Sequence, residues 1–292
     1  MNSHRLRSWK LRHQLQGMLL LLVMALLMAY LARLIGGDTL AWVATVMVVL
    51  LYLFNPVAHP DLVLSMHRAR PLWPREAPDL YHTVNVLTER ADLPTGPQLY
   101  YLPSPLLNAF AAGTGHNAAI ALSAGLLRTL NQRELTAVIA HEMSHIANDD
   151  LRTMAFAGLV GHLTRILSLI GQVLLLFGLP WWLLQGQAPP LLPILVLLGA
   201  PLITALIQLA LSRNHEFEAD RRAVELSGDP EGLASALLKL ERHNQPFWEQ
   251  WLWFRRQPTR QHSTGLHWLR THPPTEDRVA RLRELYARSD LV

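Results

Sequence analysis

Four long apolar stretches constrain the fold of this chain more than any other feature. They cover about residues 18–35, 40–54, 166–184 and 191–211, and they are nearly free of charged side chains. Hydrophobic residues make up 50% of the chain and charged residues only 16%. A helix that crosses a bilayer needs about 20 apolar residues, and each stretch approaches that length, the second being the shortest. The pattern predicts a mainly α membrane protein with four transmembrane helices.

The distribution of basic residues predicts how these helices are oriented. The N-terminal arm, residues 1–16, and the segment after the second stretch are basic, whereas the loops around Asp38 and residues 185–187 contain no lysine or arginine. Basic residues accumulate in the cytosolic loops of membrane proteins. The first apolar core is too long for a signal peptide, which favours a retained anchor. We therefore expect both termini and the segment between the two helix pairs to face the cytosol.

The excess of positive charge points to lipid and not to nucleic acid. The formal net charge is +4 and the sequence pI is about 9.7. The basic residues lie beside the apolar stretches and do not form one patch with interleaved aromatic side chains, as a nucleic-acid surface would require. Attraction to anionic headgroups accounts for this arrangement. The bilayer is thus an expected partner, and no nucleic acid is expected.

Residues 141–145 read His-Glu-Met-Ser-His, which is a metal-binding pattern. A helix has 3.6 residues per turn, so His141 and His145 share one face and can both reach a zinc ion. Glu142 is then placed to take a proton from the attacking water, as in the HExxH metalloproteases. The residues alone therefore indicate zinc-dependent hydrolysis.

A catalytic zinc ion takes three protein ligands and leaves a fourth position for water. The chain has no cysteine, which excludes thiolate ligands and disulfides and agrees with a reducing compartment. Glu216 and Glu218 are candidates for the third ligand, and His215 is chemically as competent; Glu216 is favoured by a small margin. Asp220, one turn beyond Glu216, is placed to orient a ligand histidine through its second ring nitrogen.

The segments around the motif predict an α+β domain with a small β-sheet. Asn131 as N-cap and Glu134 three residues later form a capping-box pattern, which predicts a helix over residues 132–148. A strand is expected at 99–102, and Gly113 and Gly115 favour a hairpin turn. The remaining expected elements are a hairpin formed by residues 108–112 and 116–122, and helices at residues 80–90, 216–226 and 275–288.

Four strings in this order resemble the HtpX-type membrane zinc metallopeptidases, which are HExxH gluzincins related to the CAAX prenyl endopeptidase. They are the motif at 141–145, the segment Asn-Ala-Phe-Ala at 108–111, the string at 212–220 and Thr-His-Pro-Pro at 271–274. The resemblance implies a cytosolic zincin-like protease domain interrupted by a membrane hairpin. It divides the chain into a basic arm (1–16), two transmembrane helices (17–55), the first part of the protease domain (56–152), a membrane hairpin (153–211) and the second part of the protease domain (212–292).

The resemblance also assigns roles to single residues. It implies that His141, His145 and Glu216 bind one Zn²⁺ per chain and that Glu142 is the general base and later the proton donor. It implies that Asp220 contacts and orients a metal ligand without binding the metal itself. Asp150 matches an acidic position that follows the motif helix in such proteins; alternatively, it is only a charge near the membrane.

Two further roles follow from the same resemblance. His272 is a candidate donor to the oxyanion that develops during peptide hydrolysis; the alternative is a loop histidine ahead of a helix that two prolines open. The segment Asn108, Ala109, Phe110 and Ala111 corresponds to the family segment beside the cleft. If the adjoining strand, residues 118–122, is an exposed edge, an extended substrate can pair with it. The alternative is that the small residues only pack a tight hairpin.

The resemblance implies a zinc endopeptidase of the bacterial cytoplasmic (inner) membrane that cleaves misfolded or damaged membrane proteins on the cytosolic side, as part of a stress response and together with other quality-control proteases. The spacing of the motif residues by itself indicates only hydrolysis. The alternatives are a prenyl-protein-type endopeptidase, a non-catalytic zinc-binding membrane chaperone or adaptor, and, least favoured, a transporter. Residues 247–264, which contain tryptophans and arginines, form a candidate segment for covering the cleft in a latent state.

Overall fold

The computed structural model describes residues 3–54, 60–186, 190–243 and 274–287, and most of these residues are helical. The chain divides into two compact units, one formed by Met1–Pro56 and Arg152–Asn214 and the other by Val57–Leu151 and His215–Val292. The described helices are α1 (Ser3–Phe54), α2 (Pro60–Met66), α3 (Pro78–Arg90), α4 (Ala124–Thr129), α5 (Gln132–Ala147), α6 (Asp150–Leu184), α7 (Leu191–Ser227), α8 (Pro230–His243) and α9 (Thr275–Ala287). The described strands are β1 (Arg70–Pro71), β2 (Gln98–Leu102), β3 (Ala109–Ala112) and β4 (Ala119–Ser123).

Within the described residues, three helices are long and apolar enough to cross a membrane: α1 over Met18–Leu53, α6 and α7. The number of such elements is three and not the predicted four, because the first two apolar stretches are the two helical arms of one element. That element is interrupted at Gly36 (φ −133°, ψ 19°) and Gly37 (φ 68°, ψ −162°). Glycine adopts a positive φ without steric cost, so the helical geometry breaks at these two residues and α1 consists of two helical arms.

The first unit packs through a cluster of apolar side chains from α1, α6 and α7. Its buried members come from both arms of α1 and from the two later helices, and they are Met24, Met28, Ala32, Ala44, Val48, Phe156, Ala157, Val160 and Leu211. Many other large apolar side chains of the same helices are exposed, among them Trp42, Phe177 and Leu202. Soluble proteins rarely expose an apolar surface of this extent to water, whereas a lipid bilayer can cover it.

Helices α6 and α7 contact each other through small residues and hydrogen bonds. A Cβ atom on Gly161 would lie 2.1 Å from Nε2 of Gln208, so a larger residue here would displace the side chain of Gln208. Nε2 of Gln208 donates to the carbonyl of Ala157 at 2.8 Å, and the buried Ser168 hydroxyl donates to the carbonyl of Leu197. Small residues and such polar contacts are typical of helix pairs in membranes.

The second unit contains a four-stranded mixed sheet with the order β1-β2-β4-β3. β2 pairs with β4 in parallel, and β3 pairs with β4 antiparallel, with Phe110 opposite Ala121. The hairpin predicted around residues 113–115 is confirmed: Gly113 and Gly115 have φ values of 81° and 46°. A Cβ atom on Gly113 would lie 2.0 Å from the carbonyl oxygen of Asn117, so this turn also requires glycine for its space.

The expectation that residues 118–122 form an exposed edge strand is wrong. β4 lies in the interior of the sheet, where all five of its residues are buried, because β2 occupies its second side. β3 is the last strand of the sheet order and pairs only with β4 in the described part of the chain. The outer strands of the described sheet are therefore β3, Ala109–Ala112, and β1, Arg70–Pro71.

The motif helix α5 begins as its sequence predicts. The side chain of Asn131 accepts from the backbone N–H of Glu134, and the carboxylate of Glu134 accepts from the N–H of Asn131, which completes the capping box. The apolar side of α5 is buried in the core of the second unit together with residues of the sheet. Among the side chains of this core that are fully buried are Leu99, Ile120, Leu122, Ile139 and Met143.

The other helices expected outside the apolar stretches are present. The amphipathic helix expected at residues 80–90 is α3, and the helix expected at 275–288 is α9, described up to Ala287. The helix expected at 216–226 is the last part of α7, which continues without a break from Leu191 to Ser227.

Candidate metal centre

Two helices bring together the side chains of His141, His145 and Glu216. The two histidines lie one turn apart on α5, and their Nε2 atoms are 3.3 Å apart. Glu216 comes from α7; its Oε2 lies 3.5 Å from Nε2 of His141 and its Oε1 lies 4.0 Å from Nε2 of His145. These three residues form a group in which all candidate ligand atoms lie within 4.8 Å of one another.

These residues fit a zinc ion. Bonds of about 2.0–2.1 Å in a tetrahedral site place neighbouring ligand atoms about 3.3 Å apart. The nitrogen–nitrogen distance of 3.3 Å equals that value, and the shorter nitrogen–oxygen distance of 3.5 Å is close to it. Two imidazoles and one carboxylate are also the ligand set of catalytic zinc sites that keep one position open.

Each ligand histidine has a carboxylate at its other ring nitrogen. Oδ1 of Asp220 lies 3.1 Å from Nδ1 of His141, and Oδ2 of Asp150 lies 3.0 Å from Nδ1 of His145. A carboxylate that accepts from Nδ1, as Asp150 does from His145, holds the proton there, so that Nε2 would present its lone pair to a metal. Both carboxylates are buried, Asp150 being 4% and Asp220 2% exposed.

Arg278 on α9 is a residue of this site that the sequence analysis missed. Its guanidinium lies 3.0 Å from Oε2 of Glu216 and also donates to both carboxylate oxygens of Asp220, with one of these distances 2.7 Å. Arg278 is 7% exposed. The sequence contains one signal for it: an arginine in the first turn of a helix opposes the helix dipole, so a nearby carboxylate is favourable there.

The charges around the two helices shift the protonation of the metal-free site. Burial lowers the pKa of His141, but its contacts with Asp220 and Glu216 outweigh burial and raise the pKa to about 10. Burial would also lower the pKa of Arg278, and the carboxylates of Asp220 and Glu216 raise it. The carboxylates of Asp220 and Glu216 thus favour positive charge at this place, which a bound metal ion would supply.

Glu142 lies between the two ligand histidines on α5 and is partly exposed, whereas His141 is buried. Its charge is one of those that raise the pKa of the Arg278 guanidinium, so Glu142 belongs to the same electrostatic environment. Partial exposure leaves this carboxylate accessible to a water molecule, as a general base requires.

The structure separates the three alternatives for the third ligand. Nδ1 of His215 lies 2.5 Å from Oδ1 of Asp150, which directs that nitrogen away from a ligand role. Glu218 forms an ion pair with Arg221. Of the three, only Glu216 belongs to the group of close ligand atoms.

The predicted substrate segment lies at the end of the sheet. Asn108 is exposed, and Ala109, Phe110 and Ala111 are half-buried in β3, which contacts α5. The backbone N–H of Asn108 donates to Oγ of Ser123 at 3.0 Å, which ties the start of β3 to β4. His272 and residues 247–264 lie outside the described residues, so their predicted roles remain predictions.

Comparison with known proteins identifies the family. A profile of peptidase family M48 matches residues 74–286. The chain is 36% identical over 239 residues to a protein named Protease HtpX homolog from Streptococcus pyogenes serotype M28, covering 77% of this chain and 79% of that protein. It is 34% identical over 279 residues to the Protease HtpX homolog of Campylobacter concisus, covering 90% of this chain and 94% of that one.

A solved structure is similar over most of the chain. The crystal structure of S. mikatae Ste24p matches with a TM-score of 0.49 and 18% sequence identity over 93% of this chain, which spans 66% of the length of that protein. The family assignment depends on the sequence matches, and these confirm the resemblance on which the four strings agree. The chain therefore belongs to peptidase family M48 and is a metalloprotease with membrane helices.

Proposed function

We propose that this chain is a zinc endopeptidase of the cytoplasmic membrane that cleaves misfolded or damaged membrane proteins on the cytosolic side. The observation that carries the proposal is the group formed by His141, His145 and Glu216, with Glu142 between the two histidines. Three protein ligands leave one position of a tetrahedral ion open, and an open position distinguishes a catalytic zinc site from a structural one. This argues against a non-catalytic zinc-binding adaptor.

The proposed mechanism assigns one task to each side chain. When bound, zinc supplies Lewis acidity toward the scissile carbonyl and the attacking water. Glu142 accepts a proton from that water while the water oxygen bonds to the carbonyl carbon. Glu142 then gives the proton to the leaving nitrogen as the carbon–nitrogen bond breaks. His272 is proposed to donate a hydrogen bond to the oxygen on which negative charge develops.

The residues around the ligands keep this geometry fixed. Asp220 and Asp150 hold the ligand histidines through their Nδ1 atoms, at 3.1 and 3.0 Å. Arg278 neutralises the part of the charge of Glu216 that the metal does not. Without that guanidinium, the carboxylates of Glu216 and Asp220 would repel each other in a buried site.

The position of β3 as an outer strand of the sheet supports an extended peptide as substrate. A peptide that pairs with β3 would be held by its backbone, so affinity would depend little on its sequence. Such binding suits unfolded segments, which lack their own pairing partners. The basic segments beside the apolar stretches support the cytosolic orientation, since positive charge marks the cytosolic side.

The proposal is tested by comparing the wild-type protein with Glu142→Gln. Both are purified in detergent, loaded with zinc and incubated with an unfolded protein substrate, and the bound zinc is measured by mass spectrometry. We expect one zinc per chain in both proteins and cleavage by the wild type alone, because glutamine cannot accept the proton. Glu89→Gln, which removes an exposed carboxylate from α3, is the matched control and should leave cleavage unchanged. Equal cleavage by Glu142→Gln would contradict the assignment of the base.

A further inference from the structure

The carboxylate of Asp150 is shared by two histidines. Its Oδ2 lies 3.0 Å from Nδ1 of His145, and its Oδ1 lies 2.5 Å from Nδ1 of His215. An ionised carboxylate only accepts hydrogen bonds, so both imidazoles direct an N–H at it. Asp150 is 4% exposed, and solvent therefore has little access with which to replace either contact.

In the described part of the chain, the polar contact that the structure shows between His215 and the metal site is the one with this carboxylate. It is absent from the described group of close ligand atoms, whose members are His141, His145 and Glu216. Its other ring nitrogen, Nε2, is buried and has no hydrogen-bond partner among the residues that the structure describes. The contact of Nδ1 with Asp150 is thus the polar interaction that defines the orientation of this ring.

We propose that His215 is a positioning residue for the metal site, which through Asp150 fixes the imidazole of His145 in the orientation that presents Nε2 to the ion. This inference rests on the zinc site of the proposed function. A carboxylate with a single partner can rotate about its bond to Cβ, whereas one N–H on each oxygen fixes the plane of the group. The fixed plane in turn fixes the ring of His145, since supporting hydrogen bonds determine how precisely a ligand is held.

His215 immediately precedes Glu216 on α7. Glu216 is itself a candidate ligand, and His215 supports a second candidate ligand, His145, through Asp150. Glu216 sets one corner of the site, and His215 sets a second corner through Asp150 and His145. The placement of α7 therefore controls two of the three ligands, although only one of them belongs to this helix.

The competing explanation is that His215 only fills space beside Asp150. The two explanations differ in what they require of the side chain: positioning requires an N–H directed at Oδ1, whereas packing requires only a ring of similar size. His215→Phe keeps a ring and removes the donor. His215→Asn loses the ring and keeps an N–H at a similar distance from the backbone.

The experiment measures the zinc dissociation constant of the full-length protein in detergent by competition with a chelator. We expect His215→Phe to weaken zinc binding about 10- to 100-fold, as is typical when a residue that supports a metal ligand through hydrogen bonds is lost. His215→Asn should restore affinity close to that of the wild type. His82→Phe, at an exposed position of α3, is the matched control and should bind zinc as the wild type does. If His215→Phe does not fold, His215→Ala takes its place in the same comparison.

A double-mutant cycle tests whether His215 acts through Asp150. If it does, Asp150→Ala combined with His215→Phe binds zinc no more weakly than Asp150→Ala alone. Additive losses would overturn the inference, as would unchanged affinity of His215→Phe or equal losses in the Phe and Asn variants. A wild-type protein without zinc affinity would overturn the proposed function and this inference together. A tight wild-type site with an unaffected His215→Phe variant would overturn the inference alone.

Discussion

Arg278 shows how a single residue balances the charge of the site. It contacts the buried carboxylates of Glu216 and Asp220, which lie one turn apart on α7. Removal of one partner from a buried ion pair leaves an uncompensated charge, which costs about 3–5 kcal/mol. We predict that Arg278→Met lowers the free energy of unfolding of the metal-free protein by about this amount. Denaturant titration of the detergent-solubilised protein measures the change.

Arg283→Met is the control for this prediction. Arg283 lies on the same helix, α9, and pairs with Glu231 at 3.4 Å, with both side chains 61% exposed. Exposed pairs of this kind contribute about 1 kcal/mol or less, so this variant should be nearly as stable as the wild type. If the two arginine variants lose the same stability, the contacts of Arg278 with the buried carboxylates are not its main contribution.

At the scale of elements, Glu134 connects the start of α5 to α8. It closes the capping box with Asn131, and it also accepts from the hydroxyl of Ser235 and the ammonium group of Lys239, both at 2.7 Å. The capping box was predictable from the sequence because its residues are three positions apart. The contacts with α8 were not, because Glu134 and Lys239 are separated by 105 positions.

These contacts predict how acid affects stability. Burial would raise the pKa of Glu134, but the hydrogen bonds from Lys239, Ser235 and the N–H of Asn131 lower it below the ordinary value of 4.5. A lowered pKa in the folded state stabilises the protein above the ordinary pKa, and this contribution is lost as the pH falls through the folded value. We predict that the stability difference between wild type and Glu134→Gln is constant above about pH 5 and shrinks below pH 4.5.

A pH series of denaturant titrations on both proteins measures this difference. Glu89→Gln, at an exposed position of α3, is the control and should show no comparable trend. A difference that stays constant down to the acid limit of the folded state would show that the ionised form of Glu134 is not the one that its neighbours stabilise.

In the sheet, the hairpin turn was predictable from the sequence and the pairing of distant strands was not. The turn glycines predicted the hairpin of β3 and β4, because a positive φ is a local requirement. The sequence did not indicate that β2 pairs with β4 in parallel, since that pairing depends on contacts between segments about 20 residues apart. The wrong prediction of an exposed edge at residues 118–122 had this cause. β4, Ala119–Ser123, is central because β2 pairs with its second side.

Gly125 in α4 lies against the backbone of the segment that precedes β3. A Cβ atom at this position would lie 2.1 Å from the carbonyl oxygen of Pro105 and 2.8 Å from that of Leu106, both of them backbone atoms. Gly125→Ala therefore displaces the chain that leads to Asn108 and β3. We predict a higher KM for an unfolded substrate with unchanged zinc affinity, and a stability loss of about 1–3 kcal/mol.

Steady-state kinetics and chelator competition together test this prediction. Gly158→Ala in α6 is the control, because no atom lies within 4 Å of the Cβ position there. An unchanged KM in Gly125→Ala, together with the expected loss of stability, would show that displacement of this segment does not reach the substrate strand.

At the scale of the whole molecule, the metal site depends on segments that are far apart in the sequence. The motif helix was predictable because it stands in a short pattern. The residues alone favoured Glu216 over Glu218 and His215 by only a small margin, and the family resemblance selected it. Arg278 was not predictable, because it lies 58 positions from Asp220 and only folding brings them together. The sequence marks the apolar stretches, but it does not show that the first two are arms of one element separated only by the non-helical residues Gly36 and Gly37.

The orientation of the chain in the membrane is a further prediction at this scale. The natural chain has no cysteine, so a single introduced cysteine reports its own side without background labelling. Gln185 is exposed in the turn after α6, in a segment without lysine or arginine, and His82 is exposed on α3. Since basic segments mark the cytosolic side, we expect a membrane-impermeant maleimide to label Gln185→Cys in intact cells and His82→Cys only after lysis. Labelling of His82→Cys in intact cells would place the second unit outside the cytosol, and substrates would then have to be sought on that side of the membrane.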